Sequence, residues 1–395
     1  MSQKRCCYCG KKEALSGHLF EGEREALICD ECIKQFSKIL EQHDQKTMAQ
    51  DIEAHFLKPK EIATFLDQYV ISQQEAKIAL SIAIYSHYKR IATPSKKDVE
   101  LEKSNILLLG SSGSGKTLLA KTVAKILDVP FAMADSTALT EAGYVGEDVE
   151  SILSRLLAAA DYDIQKAQKG IVYIDEIDKL AKKSESAHSG RDISGEGVQQ
   201  GLLRILEGAE VYVPLKGARK NSNTETTLFD TTHVLFICGG AFVGLQESTK
   251  ESRASGFLAS QTHLPNKPIA QRLIKYGMIP EFIGRIPVII ELKALEISDL
   301  ILILTEPKNS IIKQYQHLFS LDGVALEFTP EALESIAKKA LDEALGARGL
   351  RHILEEIVRP LLFESPSNPK LSKIIIHAHR EPELLYKRKR NAQSL

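Results

Sequence analysis

The sequence predicts an α/β fold with a smaller module on each side, and three observations carry that expectation. An apolar strand runs into a glycine-rich loop and then an amphipathic helix. A second apolar strand ends in two carboxylates. Two Cys-x2-Cys pairs lie within the first 32 residues. At 395 residues the chain has room for two or three domains of ordinary size.

The first strand is Ile106-Leu107-Leu108-Leu109, followed by Gly110-Ser111-Ser112-Gly113-Ser114-Gly115-Lys116-Thr117. This is the G-x-x-x-x-G-K-[ST] pattern, in which loop amides and a helix N-terminus point at phosphate. Leu118, Leu119, Val123, Ile126 and Leu127 are expected on one face of the helix that follows, and Leu118, directly after Thr117, is also expected among the nucleotide-binding residues. Lys116 would meet the β- and γ-phosphates, and the Thr117 hydroxyl would ligate Mg²⁺. The second strand, Ile171-Val172-Tyr173-Ile174, leads into Asp175-Glu176. Asp175 would hold Mg²⁺ through water, and Glu176 would polarise the attacking water. Together these segments predict ATP hydrolysis.

Cys6, Cys9, Cys29 and Cys32 form two knuckles separated by 19 residues, the spacing of a four-thiolate zinc ribbon. So short a segment buries too little surface to fold without its metal. A chain opening Met-Ser-Gln-Lys-Arg-Cys has no secretion signal, which favours thiolates over disulfides and a cytoplasmic location. Cys7 could stand in for a neighbouring ligand. With four sulfurs and no open position the site is expected to be structural. Residues 1–50 carry eight Lys or Arg and eight Asp or Glu, so partner binding or self-association suits the module better than nucleic acid. The whole chain has 51 Lys or Arg against 52 Asp or Glu, a net charge of −1, which argues against coating nucleic acid or a membrane surface. It also lacks an apolar stretch long enough for a transmembrane helix.

The domain plan is a zinc-binding module over 1–42, a linker over 43–58, a large domain over 59–293, a small one over 294–382 and a basic tail over 383–395. Within the small domain, 296–318 and 330–363 have helical apolar spacing, with Val324–Phe328 and Ile374–His377 as expected strands.

Across nearly its whole length the sequence resembles the ClpX family, AAA+ unfoldases that feed a Clp protease. The two Cys knuckles, the phosphate loop and Ile171–Lys179 carry the resemblance. So do Gly143–Asp148 (GYVGED), Ser194–Gln200 (SGEGVQQ), Ile237–Phe242 (ICGGAF), Ile279–Arg285 (IPEFIGR) and Gly346–Arg351 (GARGLR). The related ring ATPase HslU lacks the zinc module and has a large domain inserted after the acidic strand, where this chain has only Lys182–Asp192.

The resemblance implies an AAA+ ATPase domain with a smaller helical lid, assembled as a homohexameric ring. It implies Arg285 as an arginine finger reaching a neighbour's γ-phosphate, Arg348 as the small domain's contact to nucleotide in its own subunit, and Val70 and Ile71 against adenine. Tyr144 and Val145 would form a pore loop gripping tagged or unfolded protein. An aromatic ring between Gly143 and Gly146 can hold any polypeptide, and Glu147-Asp148 would start the next helix. Arg191 would belong to a second pore loop, while Arg219 and Lys220 would keep the pore entrance cationic. Gly256 and Phe257 would dock a ClpP-type peptidase, and the zinc module would bind adaptors. Four departures stand out. Ser72 replaces a usual glycine, Asn221 a histidine, Ser111-Ser112 a Pro-Thr pair, and Ser255 the aliphatic residue before Gly256-Phe257. Two other functions share parts of this pattern: a disassembly chaperone that never docks a peptidase, and a nucleic-acid remodeller.

Overall fold

A computed structural model describes residues 5–12, 18–22, 26–37, 57–93, 99, 101–140, 147–182, 195–215, 226–245, 268–343, 346–378 and 380–387. The chain divides into two compact units. One holds Met1–Leu57 with Tyr85–Leu101, the other Lys58–Ile84 with Glu102–Leu395.

In the first unit, strands β1 (Leu19–Glu21) and β2 (Leu27–Cys29) pair antiparallel, Leu19 opposite Cys29. Helix α1, over 30–37, follows directly. The buried interior consists of Cys6, Cys29 and Cys32 with Leu19, Ile28 and Phe36 against them. Three sulfurs at the centre of so small a core leave little apolar surface to hold it.

The second unit opens with α2 (Pro59–Asp67), and α3 (Gln74–Ala92) runs from this unit into the first. Its main sheet contains β3 (Ile106–Leu109), β4 (Phe131–Asp135), β7 (Ile171–Asp175), β10 (Leu235–Gly240) and β11 (Val288–Glu291). All pairings are parallel, in the order β11-β3-β10-β7-β4. Parallel strands covered on both faces read as unbroken apolar runs, and β3 and β10 are buried at every position. The chain leaves β3 past two strand positions to reach β4, then returns, placing β11 on the other side of β3. Ligands gather at the carboxyl ends beside such a reversal. Helices α5 (Ser151–Ala159) and α7 (Gly195–Glu207) contribute their apolar faces to the large core, and α4 (Lys116–Leu127) buries Leu119, Ala120, Val123 and Ala124. Between β4 and α5 lie the two-residue strands β5 (Leu139–Thr140) and β6 (Glu147–Asp148), and α6 (Ile164–Ala167) precedes β7. Leu107 is fully buried in this core, so Leu107→Ala is expected to cost about 2–5 kcal/mol of stability, read from urea denaturation of the full chain.

After the antiparallel pair β8 (Glu210–Pro214) and β9 (Thr226–Asp230) come helices α8 (Ile269–Tyr276) and α9 (Pro280–Gly284). The small domain holds α10 (Ile297–Thr305), α11 (Ile311–Leu321), α12 (Pro330–Asp342) and α13 (Ala347–Glu364). Its sheet runs β12 (Ala325–Phe328), β13 (Leu371–Ile376) and β14 (Glu383–Tyr386), the last pair antiparallel. Thr329 caps α12 by accepting from Ala332 N, and Pro330 supplies the preset first turn.

Three expectations need correction. Residues 383–386 are a strand of the small domain rather than part of the tail, because they pair with β13. Glu147 and Asp148 do not begin a helix. They form β6 beside β5, and the helix starts at Ser151, with the Glu147 carboxylate paired to Arg155. Leu118 leaves the buried face of α4 and is 48% exposed. None of the described helices is long and apolar enough to cross a membrane.

Candidate functional site

The phosphate loop turns where β3 ends. A Cβ on Gly110 would lie 2.9 Å from Ser114 Oγ and 3.0 Å from Leu292 Cβ, so a side chain there would spread the loop from β11. Gly115 caps α4 at φ +103, a conformation open to glycine. Lys116 is 8% exposed, and its Nζ donates to Gly110 O at 2.6 Å and Ser111 O at 3.0 Å. Burial pulls its pKa below the ordinary lysine value, while nearby Asp175 and Asp178 oppose that shift. The Ser114 hydroxyl is buried without a hydrogen-bond partner among the described residues. A buried ammonium, an orphaned hydroxyl and a helix N-terminus in one turn fit a phosphate chain.

Thr117, Asp175 and Glu176 lie across the turn. Thr117 Oγ1 donates to Asp175 Oδ2 at 3.1 Å, and Glu176 N donates to Asp175 Oδ1 at 3.0 Å. Glu176 stands in the left-handed region at φ 57, its carbonyl accepting from Ser136 Oγ at 2.8 Å. Strain of this kind costs about 1–3 kcal/mol and persists where the surroundings enforce it. It turns the exposed carboxylate of Glu176 into the cleft. A hydroxyl and a carboxylate oxygen at hydrogen-bond distance are an oxygen donor set suited to Mg²⁺.

The cleft is a cavity of about 630 Å³. Ser111, Ser112, Gly113, Gly115, Lys116, Thr117 and Leu118 line one side, Asp175 and Glu176 another, and Ala347 and Arg348 a third. Arg348 comes from the first turn of α13, in the small domain. There Gly346 sits so near that a Cβ would lie 3.1 Å from Ser112 O. Leu118, turned out of the core, offers the cleft an apolar wall.

Other expected residues stand elsewhere. Val70 is buried and Ile71 half-buried, and neither lines this cavity. Next to them Ser72 and Gln73 have φ 54 and 61, which accounts for a glycine preference at position 72. The Ser72 hydroxyl bonds Asp299, and Gln73 clamps the backbone of Lys293 with Nε2 to O at 2.8 Å and N to Oε1 at 2.9 Å. This segment thus ties the start of the large domain to the start of the small one. Arg285 lies away from the cleft. Its Nε donates to Glu207 Oε1 at 2.7 Å, and its carbonyl accepts from Asn105 Nδ2 at 2.9 Å. Tyr144, Val145, Arg191, Arg219, Lys220, Gly256 and Phe257 lie outside the described residues, as do most of the linker and Arg388–Arg390.

The sequence reading missed Tyr173 and Asp178. Tyr173 is fully buried and donates to Asp175 Oδ1 at 3.1 Å, burial holding its phenol well above the usual range and so protonated. Asp178 lines the cleft and accepts from Ala241 N at 3.1 Å. Its place three residues after Asp175 was a usable signal. Within an apolar strand Tyr173 gave none.

In the first unit, the sulfurs of Cys6, Cys9, Cys29 and Cys32 all lie within 4.8 Å of one another. Cys6 and Cys32 are 3.9 Å apart and Cys9 and Cys29 3.6 Å. Tetrahedral zinc with Zn–S of about 2.3 Å requires S–S edges of about 3.8 Å, so the cage fits. Cys29 N donates toward Cys6 Sγ at 3.4 Å. Backbone donors around Cys9 lower the Cys6 thiol to about 6, while burial pushes Cys32 up to about 12. Cys7 is exposed, takes Leu27 N at 3.4 Å and stays outside the cluster. That removes the ambiguity over the fourth ligand.

Residues 4–42 match the ClpX C4-type zinc finger, 101–289 the AAA domain (Cdc48 subfamily), and 295–376 the C-terminal, D2-small domain, of ClpB protein. The chain is 67% identical over 377 residues to the ATP-dependent Clp protease ATP-binding subunit ClpX 2 of Wolinella succinogenes, covering 95% of each. It is 46% identical over 382 residues to the ClpX subunits of Borrelia duttonii and Borrelia recurrentis, covering 94% of this chain and 89% of each relative.

Proposed function

The chain belongs to the ClpX family, and from that premise we propose that it is the ATP-driven unfoldase of a two-component protease. Its activity is ATP hydrolysis, with Mg²⁺ as cofactor and Zn²⁺ in the N-terminal module, and it is an ATPase subunit rather than a protease. We assign the finer steps as follows. The loop amides and Lys116 bind the β- and γ-phosphates. Thr117 would hold Mg²⁺ directly and Asp175 through water, and the ion would supply positive charge against that growing on the phosphate oxygens. Glu176 orients and deprotonates the attacking water. Arg348 links the nucleotide to the small domain, and Arg285 serves a neighbouring subunit in a homohexamer. A planar guanidinium suits the charge on a transferring phosphoryl group. Val70 and Ile71 pack against adenine.

The observation that carries this reading is the single cleft built by the phosphate loop, the acidic strand end and Arg348 of the small domain. With two domains walling one nucleotide, hydrolysis changes the angle between them. In a ring that change moves the Tyr144–Val145, Arg191 and Arg219–Lys220 loops and pulls a polypeptide through the pore. Unfolded or tagged proteins would pass to a ClpP-type peptidase docked through Gly256–Phe257, with adaptors bound by the zinc module, in the cytoplasm. Ser255, in place of an aliphatic residue, favours a second reading in which the ring disassembles complexes without a peptidase. The balanced charge disfavours nucleic acid as substrate.

The test is ATP-dependent loss of fluorescence from a stable, tagged fluorescent protein. Wild type is expected to unfold it, whereas Tyr144→Ala hydrolyses ATP but unfolds at least about tenfold more slowly, an aromatic grip having been removed. Normal unfolding by Tyr144→Ala would remove the gripping role. Adding a peptidase ring then separates the two readings, because only a docked ring yields small peptides.

A further inference from the structure

We propose that Tyr173 is a positioning residue for the ATPase: its hydroxyl fixes the rotation of the Asp175 carboxylate, so that Oδ2 is the oxygen presented beside Thr117 for Mg²⁺. The inference rests on the assignment of Asp175 and Thr117 to the metal.

Tyr173 and Asp175 are two residues apart on β7, so their side chains share one face of the sheet. The two carboxylate oxygens differ in their surroundings. Oδ1 accepts from the Tyr173 hydroxyl at 3.1 Å and from Glu176 N at 3.0 Å. Oδ2 faces the Thr117 hydroxyl at 3.1 Å, which itself stands 3.4 Å from the Tyr173 oxygen. The terminal torsion of an aspartate is soft and nearly two-fold. Removing the phenol leaves Oδ1 with the Glu176 amide alone, and the carboxylate is then free to turn away from Thr117.

The neighbouring strand is shaped for this contact. Ile237 of β10 is the register partner of Tyr173. A Cβ on Gly239, two residues further, would fall 2.1 Å from the phenol oxygen and 2.8 Å from its ring carbon. Glycine weakens a strand interior and often marks a close approach. Here the missing side chain is the space through which the phenol reaches Asp175 and Thr117. A phenylalanine would fill the same core volume, so packing alone does not call for the hydroxyl.

The experiment uses the full-length protein, Tyr173→Phe, and two readouts of binding. One is Mn²⁺ affinity in the presence of ADP, by electron paramagnetic resonance. The other is the affinity for a fluorescent ATP analogue in EDTA and in Mg²⁺. Tyr173→Phe is expected to weaken Mn²⁺ binding about tenfold, the lower end for losing a hydrogen bond to a metal-holding residue. Affinity in EDTA should stay within about twofold of wild type. Gly239→Ala, which crowds the phenol, should weaken Mn²⁺ in the same direction, and the double variant should lose less than the two losses combined. Unchanged Mn²⁺ affinity in Tyr173→Phe, or equal losses with and without Mg²⁺, would overturn the inference. Asp175→Asn separates the underlying reading. If that variant binds Mn²⁺ normally, the metal assignment fails; if it binds weakly while Tyr173→Phe does not, only the role of Tyr173 fails.

Discussion

Glu176→Gln is expected to lose steady-state ATP hydrolysis by about 10²–10⁴-fold while still binding nucleotide, the range for removing a general base. The amide keeps the side chain's size and removes its capacity to take a proton. The peptide at Glu176 is fixed by Ser136 at its carbonyl and by Asp175 at its amide, so the variant side chain starts from the same place. Phosphate release measures the loss, and a fluorescent ATP analogue measures the retained binding. Under the proposed function, protein unfolding should fail together with hydrolysis. Hydrolysis within about threefold of wild type would remove Glu176 from the water-activating role and direct attention to Asp178, the other carboxylate in the cleft that the sequence reading passed over.

The second large effect is expected at the zinc cage. Cys29→Ser, or extraction of the ion by a strong chelator, should unfold the zinc module, because metal binding and folding are one equilibrium in modules this small. Cys29 is fully buried, ends β2 and borders α1, so its loss removes both a ligand and the junction of two elements. Proteolysis should then cut within the module at least about tenfold faster, while the ATPase domain keeps its thermal midpoint and nucleotide affinity. Zinc content should be one ion per chain in wild type and in Cys7→Ser, whose sulfur stands outside the cluster. Loss of zinc in Cys7→Ser would contradict the cage described above. Preserved protease resistance in metal-free protein would mean that Leu19, Ile28 and Phe36 suffice as a core.

The legible parts of this molecule were those in which chemistry is written along the chain. The phosphate loop, the two knuckles and the acidic strand end each need particular residues at fixed short spacing, so their positions could be read before any coordinates. The bounds of β3 were recoverable for the same reason, as an apolar run with a glycine stop. What stayed hidden depends on neighbours far away in sequence. Tyr173 looks like core until Gly239 is seen beside it. Gln73 looks like a surface residue until Lys293 is found at its amide. Strand β14 is exposed at all four positions and exists only through its ladder with β13. Leu118 fits both an apolar helical stripe and the nucleotide-binding run by spacing, and it is the cleft that it lines. Periodicity says which face is apolar, not whether that face meets a core or a ligand.

Asn105 gives β3 a second duty. Its side-chain amide holds the carbonyls of Leu206 and Arg285, at 3.0 and 2.9 Å, just ahead of the strand whose far end is the phosphate loop. Four extended residues span about 13 Å, every one of them buried and paired to β10 on one side and β11 on the other. Under the proposed reading one end of this strand meets a subunit's own γ-phosphate, and the residue just before its other end holds the backbone of the arginine offered to the next subunit.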